Sequence, residues 1–168
     1  IAGQAIVLRV GFRPVAAAGM ALMGAGALLL TQVSAEGSYF GDIFFGLLIF
    51  GPGIGLAFVT ATVAALAGVA EHESGLASGL SNTAFQTGAA LGTAIVATVA
   101  VSQTDDYLAT NADASPLVAL TEGFQSAFLA SAVLAGLGVV LALVLLGRPR
   151  SATQELLELE PSTAAGGD

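Results

Sequence analysis

Ile43–Ala70 reads IFFGLLIFGPGIGLAFVTATVAALAGVA and contains no charged residue. An α-helix rises about 1.5 Å per residue, so about 20 apolar residues cross the hydrocarbon core of a bilayer. This run exceeds that length. Working outward from it, Pro14–Ala35, Ser74–Thr104 and Gly123–Gly147 are likewise free of charge. A charge at the centre of a spanning helix costs about 2.5–3.5 kcal/mol on insertion scales, so its absence from all four runs is a strong constraint. A soluble helical bundle would instead carry charges every turn or two on its outer faces. Here they are confined to the joints, and the chain reads as an all-α membrane protein with four transmembrane helices.

Composition points the same way. Hydrophobic residues make up 55% of the chain, charged residues 10%, and the mean hydropathy is +0.88; ordinary soluble domains carry about 25% charged residues. There is no cysteine, which removes disulfides, thiol chemistry and cysteine-bound metals. The net charge of −8 arises in the loops and tail and gives no reason to expect a nucleic-acid partner. The chain opens on Ile1, not on Met, in apolar sequence, and is expected to be a piece of a longer polypeptide whose earlier helices would be its partners.

Orientation follows from four arginines. There is no lysine; Arg9 and Arg13 precede the first span, and Arg148 and Arg150 follow the fourth. With four spans both ends share one side. The joints Glu36–Asp42 and Gln103–Glu122 hold no positive charge and fall on the opposite face, while the Glu71-His72-Glu73 turn returns to the arginine side. The positive-inside rule places both ends in the cytoplasm of a cell membrane.

The expected spans are 14–35, 39–67, 75–102 and 124–147, with residues 1–147 forming the transmembrane part and 148–168 a disordered cytoplasmic tail. Span one starts at Pro14, where a missing N–H is tolerated, and Gly19, Gly24 and Gly26 leave room for a neighbouring backbone. Span two is long enough to tilt or kink. Pro52, flanked by Gly51, Gly53 and Gly55, removes a backbone donor and supplies the kink. Span four, rich in Ala, Leu and Val, reads as peripheral and lipid-facing. Ser115-Pro116 reads as an N-cap and first-turn proline for a short interfacial helix over Leu117–Leu120.

Span three holds most of the polar groups. Gly75 with Gly79, and Gly88 with Gly92, are small-xxx-small pairs on different sides of one helix, which predicts burial between neighbours. Asn82 and Gln86 are amides one turn apart near mid-span. Such groups need partners in hydrocarbon, and two roles fit them. One is an interhelical hydrogen bond worth about 0.6–2 kcal/mol; the other is the polar lining of a substrate path. His72, between two glutamates at a membrane edge, reads as part of a solvated turn. Asp42 and Glu122 read as capping or hydrated groups. No nucleophile–base pair, metal-ligand cluster or phosphate loop is present, and Gly51–Gly55 lies within an apolar span where no strand precedes it. The chain therefore reads as a non-enzyme without cofactor or metal.

The run Gly51–Phe58, then Ala65–Val69, Gly75–Thr83 and Gln86–Ile95, resembles the C-terminal part of major facilitator superfamily transporters, most closely the fourteen-helix drug:proton antiporter branch. Arg9-Val10-Gly11-Phe12-Arg13-Pro14 is similar to that family's cytoplasmic loop between the second and third helices of the C-terminal half. The Gly-Leu-Ala-Ser-Gly-Leu-x-Asn-Thr stretch at Gly75–Thr83, with Gln86 and the glycines after it, is the most specific part. This chain departs from the pattern at Phe85, where many relatives carry arginine, and at Leu8, where an acidic residue is usual. The resemblance implies the last part of the C-terminal six-helix bundle of a major facilitator fold. It also implies proton-coupled efflux of drugs or other amphipathic small molecules, with the proton-coupling acids in the missing N-terminal half. On it, Asn82 and Gln86 line the substrate path and Phe58 offers an aromatic surface. A membrane-embedded structural or enzyme subunit, with span three serving only for packing, is the alternative.

Overall fold

The computed structural model describes residues 11–146; Arg9, Arg148, Arg150 and the tail lie outside the described residues. Helix α1 spans Phe12–Leu30, α2 Phe44–Leu66, α3 Ser74–Thr110 and α4 Pro116–Leu145. A π-helical turn, Tyr39–Ile43, leads into α2, and a 3-10 turn, Glu71–Glu73, leads into α3. Among the described residues four helices are long and apolar enough to cross a membrane, and no strand occurs. The architecture is that of an all-α membrane protein.

The helix ends differ from expectation in three places, each for a local reason. α1 stops at Leu30, not Ala35, because Thr31 turns its hydroxyl onto the Leu28 carbonyl at 2.7 Å and closes the helix. The freed segment is then pinned from two sides. Gln125 Nε2 on α4 donates to the Val33 carbonyl at 2.6 Å, and Asp42 Oδ2 accepts from the Ser34 backbone N–H at 3.2 Å and its hydroxyl at 3.1 Å. α3 continues past Ser102 to Thr110, carrying Asp105 and Asp106 within it. Ser115 does cap a helix, accepting from Leu117 N–H at 3.3 Å with Pro116 in the first turn. That helix is α4 itself, however, and not a separate interfacial piece. A charge such as Glu122 ends an apolar run but breaks no backbone hydrogen bond, so the helix runs on through it.

Packing centres on α1, which lies against α2 on one side and α4 on the other, while α3 packs on α4. The α1–α2 contact is backbone against backbone. A Cβ built on Gly26 would lie 2.8 Å from the Gly46 carbonyl and the Phe50 N–H nitrogen, and one on Gly53 would lie 2.7 Å from the Met23 nitrogen and 2.8 Å from the Gly19 carbonyl. Gly19 and Gly26 sit about two turns apart on α1, as do Gly46 and Gly53 on α2, so each pair lies on one face. Lipid tails are as apolar as leucine, so helices associate through such close approach and not through a hydrophobic drive. Gly19 and Gly26 thus do what their size predicts. Gly123 plays the same part between α4 and α3, set against the Ala100 carbonyl and the Thr104 hydroxyl.

Among the described residues α4 is the more closely packed of the last two helices. α4, expected to be peripheral, touches two helices and buries Ala119, Gly123, Ala127 and Ala142. α3 has no buried residue among the described residues. Gly75, Gly79, Gly88 and Gly92, with Gly51 and Gly55 on α2, have nothing within 4 Å of a built Cβ. Gly51 and Gly55 each stand two positions from Gly53, about 200° round the helix, and so point away from α1. Pro52 lies within the continuous helix α2.

Two substitutions test the crossing and its outer tie. Gly26→Leu and Gly53→Leu each force a side chain into space that backbone occupies. Either is expected to lower the thermal midpoint of the purified full-length protein by several degrees, since overpacking costs about 1–3 kcal/mol. Unchanged unfolding in both would show that α1 and α2 do not cross there. Gln125→Ala removes one hydrogen bond, worth about 0.5–1.5 kcal/mol, and is expected to give a smaller drop in the same measurement.

Candidate functional site

Because α3 leans on α4 and stands off α1, a space opens above α1 between α2 and the α3–α4 pair. One part of it, with a volume of about 450 Å³, is walled by Met20 and Met23 of α1, by Ile54, Phe58 and Thr62 of α2, and by Ser78, Asn82 and Phe85 of α3. That volume falls within the range of pockets that hold drug-sized ligands, about 300–1,000 Å³. A second part, about 760 Å³, lies between α1, α3 and α4 and shares Met20 and Met23; Phe50, Phe124, Phe128, Ser131 and Gly92 also line it. The two methionines on one face of α1 are therefore the boundary between them.

The smaller cavity brings together residues that the chain holds far apart. Phe58 and Asn82 come from different helices and meet on its wall. Gln86, one turn beyond Asn82, does not line it. Phe85 does, and its ring meets that of Phe58 edge-on, with centroids 5.5 Å apart and an interplanar angle of 78°. Phe85, Met20 and Met23 were not singled out as site residues from sequence. The signal for Phe85 was its place three positions after Asn82, which puts both on one face of a helix. The methionines carried no signal beyond that of an ordinary apolar span.

Several hydroxyls of α3 bond to their own helix, and the amides Asn82 and Gln86 do not. Ser81, Thr83 and Thr87 each donate to the carbonyl four residues back, at 2.8–2.9 Å. Thr62 on α2 does the same towards Phe58, and the fully buried Thr60 towards Leu56 at 2.7 Å. A hydroxyl in hydrocarbon can be satisfied by its own helix in this way. Asn82 and Gln86 make no such bond among the described residues. A primary amide has two donors and a carbonyl acceptor, so each is free to engage a partner outside its helix.

His72 and Glu73 lie 3.7 Å apart, both exposed, in the turn before α3, and such a surface contact contributes little. Asp42 ties down the Ser34 segment through the two hydrogen bonds described above. Neither reaches the cavity. All the side chains that line it are uncharged, so the site suits binding by shape, ring contact and hydrogen bonding. It holds no acid–base pair.

The sequence pattern of the Major Facilitator Superfamily matches residues 1–165. The chain belongs to that family. Its members are secondary transporters and not enzymes, which agrees with four helices long and apolar enough to cross a membrane. Among the curated proteins and the solved structures, nothing matches this chain.

Proposed function

We propose that this chain is part of a proton-coupled exporter of drugs or other amphipathic small molecules, of the fourteen-helix antiporter branch, in the cell membrane. The observation that carries the reading is the meeting of Phe58 and Asn82 in one cavity, with the Asn82 amide unengaged beside self-bonded hydroxyls. Lipophilic compounds, often cationic, bind such a surface through aromatic contact and a few polar groups without a fixed stereochemical fit. Gln86, one turn further along α3, continues the polar path. Protons are the coupling ion, and earlier helices of the same polypeptide supply the coupling acids.

The same reading accounts for the open glycines. Gly75, Gly79, Gly88 and Gly92 of α3, with Gly51 and Gly55 beside Pro52 on α2, serve as packing positions for those other helices. Alternating access in this family rocks one half against the other around a site near the midplane, so the described helices do not transport alone. Both ends of the chain lie in the cytoplasm.

Asn82→Ala and Gln86→Ala, made singly in the intact protein, are expected to change which compounds are exported while membrane levels stay near normal. Resistance assays across a compound panel, with membrane blots, read both. A uniform loss across compounds together with lower protein levels would assign both amides to packing.

Topology is tested by cysteines introduced singly at Ser38, Ser74 and Ser115, on the three connections. An impermeant thiol reagent added outside intact cells is expected to label the Ser38 and Ser115 sites and to spare the Ser74 site. Labelling at Ser74 would reverse the orientation.

A further inference from the structure

We propose that Met20 is a divider that sets the length of molecule this chain accepts; the inference deepens the transport reading above and rests on it. The two cavities already described are stacked along the helix axes. Residues 78–85 of α3 flank the smaller one and residues 92–100 the larger, stretches that rise about 10 Å and about 12 Å. A third cavity, about 230 Å³, lies between α1, α2 and α4. Among the described residues Met20 alone borders all three. Its side chain is half-buried at their junction, and a molecule longer than one compartment has to pass it.

The seat of Met20 is Gly138 of α4. A Cβ built on Gly138 would fall on the Met20 sulfur, with Cε at 3.4 Å and Cγ at 3.7 Å. At the α1–α2 crossing a built Cβ meets backbone, so a side chain there moves a helix; at Gly138 it moves only the end of a thioether. Methionine is unbranched with three rotatable bonds, and the cavities on either side give the displaced end somewhere to go. Met23, one turn along, is held differently: its Cγ packs over Gly53 within the crossing, 2.9 Å from a built Cβ. Met20 is therefore the methionine that swings without unpacking α1 from α2. A short molecule fits within one compartment and leaves Met20 in its seat. A long one lies across the junction, and the room it finds there is set by the position of Met20.

The test uses purified full-length protein in nanodiscs and two probes: hexyltrimethylammonium, shorter than one compartment, and dodecyltrimethylammonium, longer than one. Calorimetric titration, with empty nanodiscs subtracted, reads each affinity. Met20→Ala is expected to raise the preference for dodecyl over hexyl about 4- to 15-fold, the scale of one or two further buried methylene groups. Gly138→Ala pushes the thioether into the junction and is expected to lower that preference. In the Met20→Ala background the same change is expected to alter it by less than about 2-fold, because the group it displaces is gone. Where Met20→Ala does not elute as folded protein, Met20→Val decides in its place. An unchanged preference in Met20→Ala, or a Gly138→Ala effect that is absent or is the same with and without Met20, would overturn the divider. Uptake of the probes into inverted vesicles by the unaltered protein separates the two ideas. Uptake with a preference that Met20→Ala leaves unchanged removes the divider alone. A preference that depends on Met20, without uptake, removes the transport reading and leaves a length-selective cavity.

Discussion

The crossing of α1 and α2 at Gly19, Gly26, Gly46 and Gly53 is the constraint on which the remaining geometry depends. In a bilayer the usual reward for bringing helices together is missing, because lipid covers apolar side chains as well as protein does. Close approach of two backbones replaces it, with dispersion contacts that individually are small and together are large. The two glycine pairs recur about every second turn, so the helices stay in contact over much of their length and do not meet at a point. Leu30 then packs over Gly46, and the tight pair becomes a floor on which the other helices are set.

From that floor the cavity follows. α1 uses a second face for α4, where Gly24 approaches Ala135 and Met20 approaches Gly138. α4 in turn receives α3 at Gly123. α3 is thus placed by α4 and meets α2 only sparingly, with the Phe58–Phe85 contact as one of the links. The gap this leaves over Met20 and Met23 results from which helix carries which glycine. Had α3 borne its small residues against α1, the space would be closed.

The fold was legible because its signal is cumulative: four long runs without charge leave few other readings. Helix ends were less legible. Thr31, Asp105 and Glu122 mark polarity changes, and polarity reports where a bilayer ends, whereas a helix ends where its carbonyls find other partners. The packing glycines were half legible. Gly19 and Gly26 stood in a run rich in alanine and were recognised, but Gly46 and Gly53 were overshadowed by Gly51 and Gly55 around Pro52. A list of small residues does not say which face meets a neighbour; that depends on the phase of two helices at once. Within the site, Phe58 and Asn82 were expected and share a wall, while Gln86 falls beside it. Phe85 drew notice as a departure from a family pattern, and its ring contact with Phe58 depends on a helix pairing that spacing along one helix cannot express.

Asn82 differs from its immediate neighbours on α3 in what its side chain can do with its own backbone. A serine or threonine side chain is short enough to return to the carbonyl four residues back, so Ser81, Thr83 and Thr87 add little polarity to the surface of α3. Asn82, set between two of them, has more hydrogen-bonding capacity than its own backbone can absorb. In hydrocarbon that surplus carries a penalty of several kcal/mol if it is left unmet, so such a residue persists where something outside the helix meets it. The cavity wall is where that surplus faces, alongside two rings and two thioethers. On the transport reading proposed above, that demand is met by the molecule carried, among side chains that adapt to many shapes.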